Sequence, residues 1–338
     1  MPTIRDVAKF AGVAPITVSR VVNDSGYVSA ETRARVQAAV EELGYVPNML
    51  GPSLRFKQTM TLAMVVTDIS NPFWTTVTRG VEDVAQANGY STILCNTDES
   101  EEKQEQYLDM LLRRRIDGIL LVPTSSSPDP IRRIQKQGIP VVLLDRRVPD
   151  IEVDIIRSNS EEGAYQLAQH LISFGHQRIT ILAGPRKVST AVDRVNGFCR
   201  ALKEAGLYSC ESQVFWGSYS QESGYQMAQE ALEARLKPTA LFATNNFVAI
   251  GAFRALNEKN IRVPDDIAMV AFDDIPAVFT VEPFLTVAVQ PAREIGKRAV
   301  CLLFERIKGE TNRPFQHILL PTKMIIRASS GESITNRD

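Results

Sequence analysis

Two groups of residues in this 338-residue chain have types and spacings that could do chemistry. The first is spread from position 73 to 290: Phe73, Trp74, Asp145, Arg194, Tyr219, Asn245, Asp273 and Gln290. Carboxylates accept hydrogen bonds, a guanidinium donates them and amides do both, which suits the hydroxyls of a polyol. The second is packed into nine positions: Pro15, Ile16, Thr17, Ser19, Arg20 and Asn23. A short helix with these residues outward presents Arg20, whose planar fork can pair with guanine O6 and N7.

Catalytic patterns are missing. No GxGxxG opens a helix after a strand, and neither GxxxxGK[ST] nor GxSxG occurs. The pair Asp273-Asp274 invites an acid–base reading, but neighbours at a strand end point apart. Cys95, Cys199, Cys210 and Cys301 form no CxxC, and His170, His176 and His317 stand alone, so no zinc spacing arises. Four buried thiols in a reducing cytosol are expected, with no metal and no cofactor.

The elements that must position the first group begin near Thr61. Strands are expected at 62–66, 91–94, 118–122 and 140–144, with helices at 73–87, 100–114 and 130–137 between them. After Arg157 the alternation restarts, with strands at 178–182, 239–243 and 268–272 and helices at 161–174, 192–204, 220–233 and 248–257. Such alternation gives parallel sheets flanked by helices, here as two similar α/β lobes. Ligands in these sheets sit beyond the carboxyl ends of the strands, where Asp68–Trp74, Asp145-Arg146, Arg194, Tyr219, Asn245-Asn246, Asp273-Asp274 and Gln290 fall. Any one of them reads equally well as a turn or cap; their recurrence in both halves favours a site.

The second group belongs to a small all-α head. Thr3 and Asp6 have capping-box spacing, and Ile4, Val7, Ala8 and Ala11 make one apolar stripe. Gly12 closes that helix and Pro15 opens the next, which buries Val18, Val21 and Val22. Ser29 caps a third helix that carries Val36, Val40 and Leu43 before Gly44. Two helices joined by a tight turn and braced by a third form a helix-turn-helix. A plain three-helix core is the alternative, against which Thr17, Arg20, Asn23 and Asp24 form a polar outer face.

Charge adds little. The whole chain is at −1; residues 1–57 hold seven Lys/Arg and five Asp/Glu (+2), leaving 31 and 34 (−3) for the rest. No run reaches the ~18 apolar residues of a membrane span, and the first residues lack the apolar core of a signal peptide. A soluble, cytoplasmic protein is expected.

The stretch Thr3-Ile4-Arg5-Asp6-Val7-Ala8 … Ala11-Gly12-Val13 … Thr17-Val18-Ser19-Arg20-Val21-Val22-Asn23, continued by Val28-Ser29 … Leu43-Gly44-Tyr45-Val46-Pro47-Asn48, closely resembles the head of the lactose/galactose repressor family. Ser70-Asn71-Pro72-Phe73, Ile116-Asp117-Gly118, Arg194-Val195-Asn196-Gly197-Phe198 and Val270-Ala271-Phe272-Asp273-Asp274 extend the resemblance through the sensor. It implies a transcription regulator: a helix-turn-helix domain over 1–46, a hinge over 47–59, a two-lobed effector and dimerisation domain over 60–330 built like periplasmic sugar-binding proteins, and a tail at 331–338. It implies Thr3, Pro15, Ile16, Thr17, Ser19, Arg20, Asn23 and Leu54 on DNA, with Leu54 as a minor-groove wedge. The eight residues of the first group then surround a small-molecule effector, and a homodimer meets a near-palindromic operator. Two departures stand out. Ala14 replaces the usual capping Ser, which costs ~0.5–2 kcal/mol. Pro52 falls where a hinge helix capped by Asn48 would need an N–H, and a proline inside a helix costs ~3 kcal/mol; a helix that starts at Gly51 would instead put Pro52 at the tolerated first position. A transport-type solute-binding protein shares the sensor fold; the head and the missing signal peptide argue against it.

Overall fold

The computed structural model describes residues 2–46, 58–207, 210–275, 283–309 and 313–331. The chain divides into two compact units, Met1–Thr59 and Met60–Asp338. Leu54 and Gly51-Pro52, the hinge features, lie outside the described residues.

In the first unit, α1 (Ile4–Ala11) starts on a complete capping box, in which Thr3 N–H donates to Asp6 Oδ2 at 2.8 Å and Asp6 N–H to Thr3 Oγ1 at 3.4 Å. Gly12 ends it in the left-handed conformation. α2 (Pro15–Val22) has Pro15 at its start and no side-chain cap from Ala14, whose backbone is extended at φ −71°, ψ 148°. Ser29 caps α3 (Ala30–Leu43) by accepting from Thr32 N–H at 3.3 Å. Val7, Ala8, Val18, Val21, Val36 and Ala39 form the core.

Because Ala14 already has a cap-compatible backbone, Ala14→Ser is expected to supply the missing acceptor to the first N–H groups of α2. The gain should be ~0.5–2 kcal/mol. Amide hydrogen exchange in α2 should slow about threefold or more; unchanged exchange would show that Pro15 alone fixes the helix start.

The second unit holds two six-stranded sheets, ordered β11-β5-β4-β3-β1-β2 and β12-β10-β9-β8-β6-β7. In the first, β1 (Thr61–Val66), β2 (Ser91–Asn96), β3 (Gly118–Leu121), β4 (Val141–Leu144) and β5 (Asp154–Ser158) are joined through α4 (Pro72–Ala87), α5 (Glu101–Arg113) and α6 (Asp129–Lys136). All pair in parallel, as in Leu62 opposite both Thr92 and Gly118. Such strands are buried on both faces, hence runs such as Thr61-Leu62-Ala63-Met64-Val65-Val66.

The second sheet contains β6 (Ile179–Ala183), β7 (Val214–Trp216), β8 (Ala240–Ala243), β9 (Ala268–Phe272) and β10 (Thr286–Val289). Its helices are α7 (Ser160–Ser173), α8 (Ser189–Glu204), α9 (Gln221–Glu233) and α10 (Asn246–Glu258).

Two lobes of this kind agree with the sequence, but the chain does not simply finish one and build the other. It passes over after β5, returns after β10 so that α11 (Ala292–Ile307) packs on α4 and on β3, β4 and β5, adds β11 (His317–Leu320) to the first sheet, and crosses again to β12 (Lys323–Ile325). β12 runs antiparallel to β10, so the second sheet is not purely parallel. β7 and β12 have three residues each, too few for any period to show.

The cysteines depart from expectation. Cys199 on α8 and Cys210 in the 3₁₀ turn Cys210–Gln213 are bonded to each other, with Cα atoms 5.3 Å apart. The turn brings the chain back along α8, a proximity that an eleven-residue separation does not announce. Cys95 is buried as expected, whereas Cys301 on α11 is exposed. Among the described residues no helix is long and apolar enough to cross a membrane, and no cluster of His, Cys, Asp and Glu could hold a metal ion.

Candidate functional site

The carboxyl ends of both sheets open onto one narrow cleft of about 60 Å³ between the lobes. All eight residues of the first group line it, together with Thr67, Asp68, Asn71, Glu99, Arg146 and Thr190. β4 and β9 deliver their aspartates in the same way. Asp145 and Asp273 each follow the last strand residue with a left-handed backbone, φ 64° and 65°. Each N–H is held by the neighbouring strand, Asp145 by Ile156 O at 2.8 Å and Asp273 by Ala288 O at 2.9 Å. A left-handed non-glycine residue is unfavourable by ~1–2 kcal/mol, and Asp, like Asn, tolerates it better than most. That conformation turns both carboxyls into the cleft.

Arg194 lies one helical turn into α8, buried, with its guanidinium 3.9 Å from the Phe272 ring centre and donating to Thr244 O at 2.6 Å. Tyr219 reaches over the end of β6 because Gly184 is there; a Cβ at that position would stand 2.3 Å from Tyr219 Cζ. Gln290, just beyond β10, donates to Asp273 Oδ1 at 2.8 Å. Asn245 caps α10 by accepting from Val248 N–H at 2.8 Å, so its carbonyl is committed and its amide NH₂ remains for a ligand. Phe73 and Trp74 meet edge to face at the start of α4, centres 4.7 Å apart.

Burial pushes the Asp273 carboxyl up to about 6, against the pull of Arg194 and the Gln290 hydrogen bond. Asp145 is raised for the same first reason, again opposed by Arg194. Several buried atoms from both lobes lack a hydrogen-bond partner among the described residues: Asp145 Oδ1 and Arg146 Nε on one side, Arg194 Nε and Gln290 Oε1 on the other. Burying such groups unpaired is unfavourable by ~1–3 kcal/mol each. A polar ligand would pair them.

Glu99 and Thr190 were not marked out by the sequence. Glu99 holds the buried Arg146 through two bonds of 2.6 and 2.7 Å, forming one wall. In the sequence it is one of a run of acids at a helix start, and only its partner 47 positions away distinguishes it.

On the helical head, Pro15, Ile16 and Arg20 are exposed, and Thr17 and Ser19 are half-buried beside them. Gly26 has φ 73°, and the stem of Arg20 lies against it, with Cδ 3.6 Å from where a Cβ would be. Three members of the set, Thr3, Ser19 and Asn23, are already engaged within the head. Thr3 Oγ1 donates to Asp6 Oδ2 at 2.7 Å, and Asn23 Nδ2 donates to Ser19 O at 2.8 Å. Both bonds therefore also hold helix ends.

Residues 3–48 match the family described as bacterial regulatory proteins of the lacI family, and residues 59–328 match periplasmic binding proteins and the sugar binding domain of that family. The chain belongs to the LacI family. Its similar proteins include the HTH-type transcriptional repressor PurR of Pasteurella multocida (strain Pm70), 38% identical over 97% of this chain and 98% of the relative. Among solved structures it resembles the lac repressor dimer bound to operator and the anti-inducer ONPF, with TM-score 0.85 and 28% identity over 97% of this chain and 99% of that one. It also resembles the complex of the transcriptional regulator CelR with cellobiose, with TM-score 0.75 and 33% identity over 98% and 100%. This LacI-family member is accordingly a sequence-specific DNA-binding transcription regulator controlled by a small-molecule effector.

Proposed function

We propose that the chain represses transcription in the cytoplasm as a homodimer on a near-palindromic operator, and that its interlobe cleft takes a small polar effector that both donates and accepts hydrogen bonds. The observation that carries the effector class is the pair of left-handed aspartates, one per lobe, facing Arg194 in a cleft with unpaired donors and acceptors on both walls. A molecule that carries both donors and acceptors satisfies both signs at once. The CelR structure holds cellobiose, whereas the more similar PurR repressors, 38% identical, weigh against a sugar in this cleft. The eight residues of the first group are the proposed ligand contacts, and a ligand touching both walls favours the closed lobes by its differential affinity.

A thermal-shift screen of sugars, sugar phosphates and nucleobases tests the class. A true effector at a hundred times Kd adds ~2.7 kcal/mol. Stabilisation by nucleobases alone would make the effector a nucleobase, by sugars alone a sugar, and by none of them would overturn the cleft as the effector site.

On the DNA side, Pro15, Ile16, Thr17, Ser19 and Arg20 are the proposed reading face, with Thr3 and Asn23 beside them. Leu54 is the proposed minor-groove wedge. Arg20→Ala should weaken operator binding by ~1–3 kcal/mol and relax preference at one symmetric pair of positions. Gel shifts against a palindromic pool read this directly. A uniform loss across all sequences would assign Arg20 to phosphate.

A further inference from the structure

A second cavity, of about 400 Å³, opens where the first lobe meets the start of α8. It lies on the α5–α6 side of the first sheet, whereas α4 and α11 pack on the other side. Its floor is apolar: Leu143, Val148, Val153 and Ile155 are buried members of the first lobe's core, with Ile151 packed beside them. Its rim carries Arg147, Lys187 and His317, all exposed; Arg147 is paired with Asp193, so Lys187 is the rim cation without a salt bridge among the described residues, and no acidic residue lines the cavity itself.

Two further features point the same way. α8 is sixteen residues long and starts without a side-chain cap, since Val188 offers none. The uncapped N–H groups of a helix start attract anions, and Ser189, its first residue, lines the cavity. β11 is the edge of the first sheet, and two residues beyond His317 on the same face Leu319 is 45% exposed. That edge presents both apolar surface and a hydrogen-bonding ring.

We propose that this cavity is a second ligand site for a small organic anion with an apolar body. The body rests on the floor from Leu143 to Ile155, and the anionic group meets Lys187 and the first turn of α8. The volume falls in the ~300–1,000 Å³ range of small-molecule sites, which are mostly apolar with a few fixing polar groups. The same turn of α8 also carries Thr190 into the effector cleft, so one helix start forms a wall of both cavities.

Calorimetric titration of the full chain with 2-naphthoate tests the site. Saturable one-to-one binding is expected, and 2-naphthamide, which has the same body without the charge, should bind about tenfold more weakly. Lys187→Gln, an exposed change far from the fold's core, should weaken naphthoate about tenfold and leave naphthamide unaffected. Equal binding of the two probes, an unchanged affinity in Lys187→Gln, no saturation in the millimolar range, or a soaked crystal with naphthoate elsewhere would each overturn the proposal.

Discussion

Asp193→Asn is expected to lower the effector affinity of the cleft by roughly one to two orders of magnitude while leaving the helices and sheets intact. Asp193 sits on α8 in the second lobe and is buried. Both of its oxygens are taken by arginines of the first lobe, Oδ1 by Arg147 and Oδ2 by Arg157 at 3.3 Å. Arg147 N–H also donates to Ser189 Oγ at 2.9 Å. Elsewhere between the lobes, Asn71 and Asn246 exchange two amide hydrogen bonds of 3.2 Å. The lobes are thus fastened at two places, one ionic and one neutral.

Removing the Asp193 charge acts on the ionic fastening alone. Arg157 already has its guanidinium held below the usual range, by burial first and by Arg147 second. Without the carboxylate, closing the lobes would bury part of a cation with no counter-ion. Arg147 is 43% exposed and water replaces much of what it loses, so the shift toward open lobes is about 2 kcal/mol rather than the larger cost of a fully buried pair. A ligand that touches both lobes binds the closed form, and its apparent affinity scales with the closed fraction. Small-angle scattering should show a larger radius for the free variant, and titration should show the weakened affinity. Unchanged scattering together with unchanged affinity would mean the lobes are held by the apolar contacts and the asparagine pair.

The features legible in the sequence were those set by neighbours along the chain. Thr3 and Asp6 announced a capping box three positions apart, Pro15 and Gly12 marked helix ends, and Leu62–Val66 read as a strand through its unbroken apolar run. Asp145 and Asp273 were found because each directly follows such a run, and strand ends are where these folds bring polar groups together. What stayed hidden depends on distance. Asp154 begins β5 fully buried because Arg306, 152 positions later on α11, binds it with bonds of 2.7 and 2.9 Å. Nothing near Asp154 says that α11 returns to the first lobe. The Cys199–Cys210 bond and the Glu99–Arg146 wall were missed for the same reason, since each needs a fold to bring its halves together. Short edge strands such as β7 carry too few residues to declare a period.

Asp273→Asn should give a chain that is more stable at neutral pH and largely deaf to its effector. The stability part follows from the carboxyl pushed up to about 6 by burial, from the ordinary aspartate value of 3.8. Below about pH 4 the group is protonated in both folded and unfolded chains and contributes no difference. Between about 4 and 6 the folded chain keeps a proton that the unfolded chain has released, so stability falls as pH rises. Above 6 the penalty is constant, at about 2–3 kcal/mol for a shift of this size. Asparagine keeps an oxygen for the Gln290 amide and carries no charge to desolvate, so the variant escapes that penalty. Its Tm should rise by several degrees at pH 7.5 and match the parent near pH 4. The binding part has the opposite sign. A charged hydrogen bond to a ligand donor contributes ~1.5–3 kcal/mol, so affinity for the effector should drop about tenfold to a hundredfold, while operator binding without effector stays normal. Calorimetry across pH 4–8 and effector titration of the operator complex read the two halves separately. A variant that is destabilised at pH 7.5, or that responds to effector like the parent, would remove Asp273 from the role given to it: an acid kept buried and ionised because the ligand requires it.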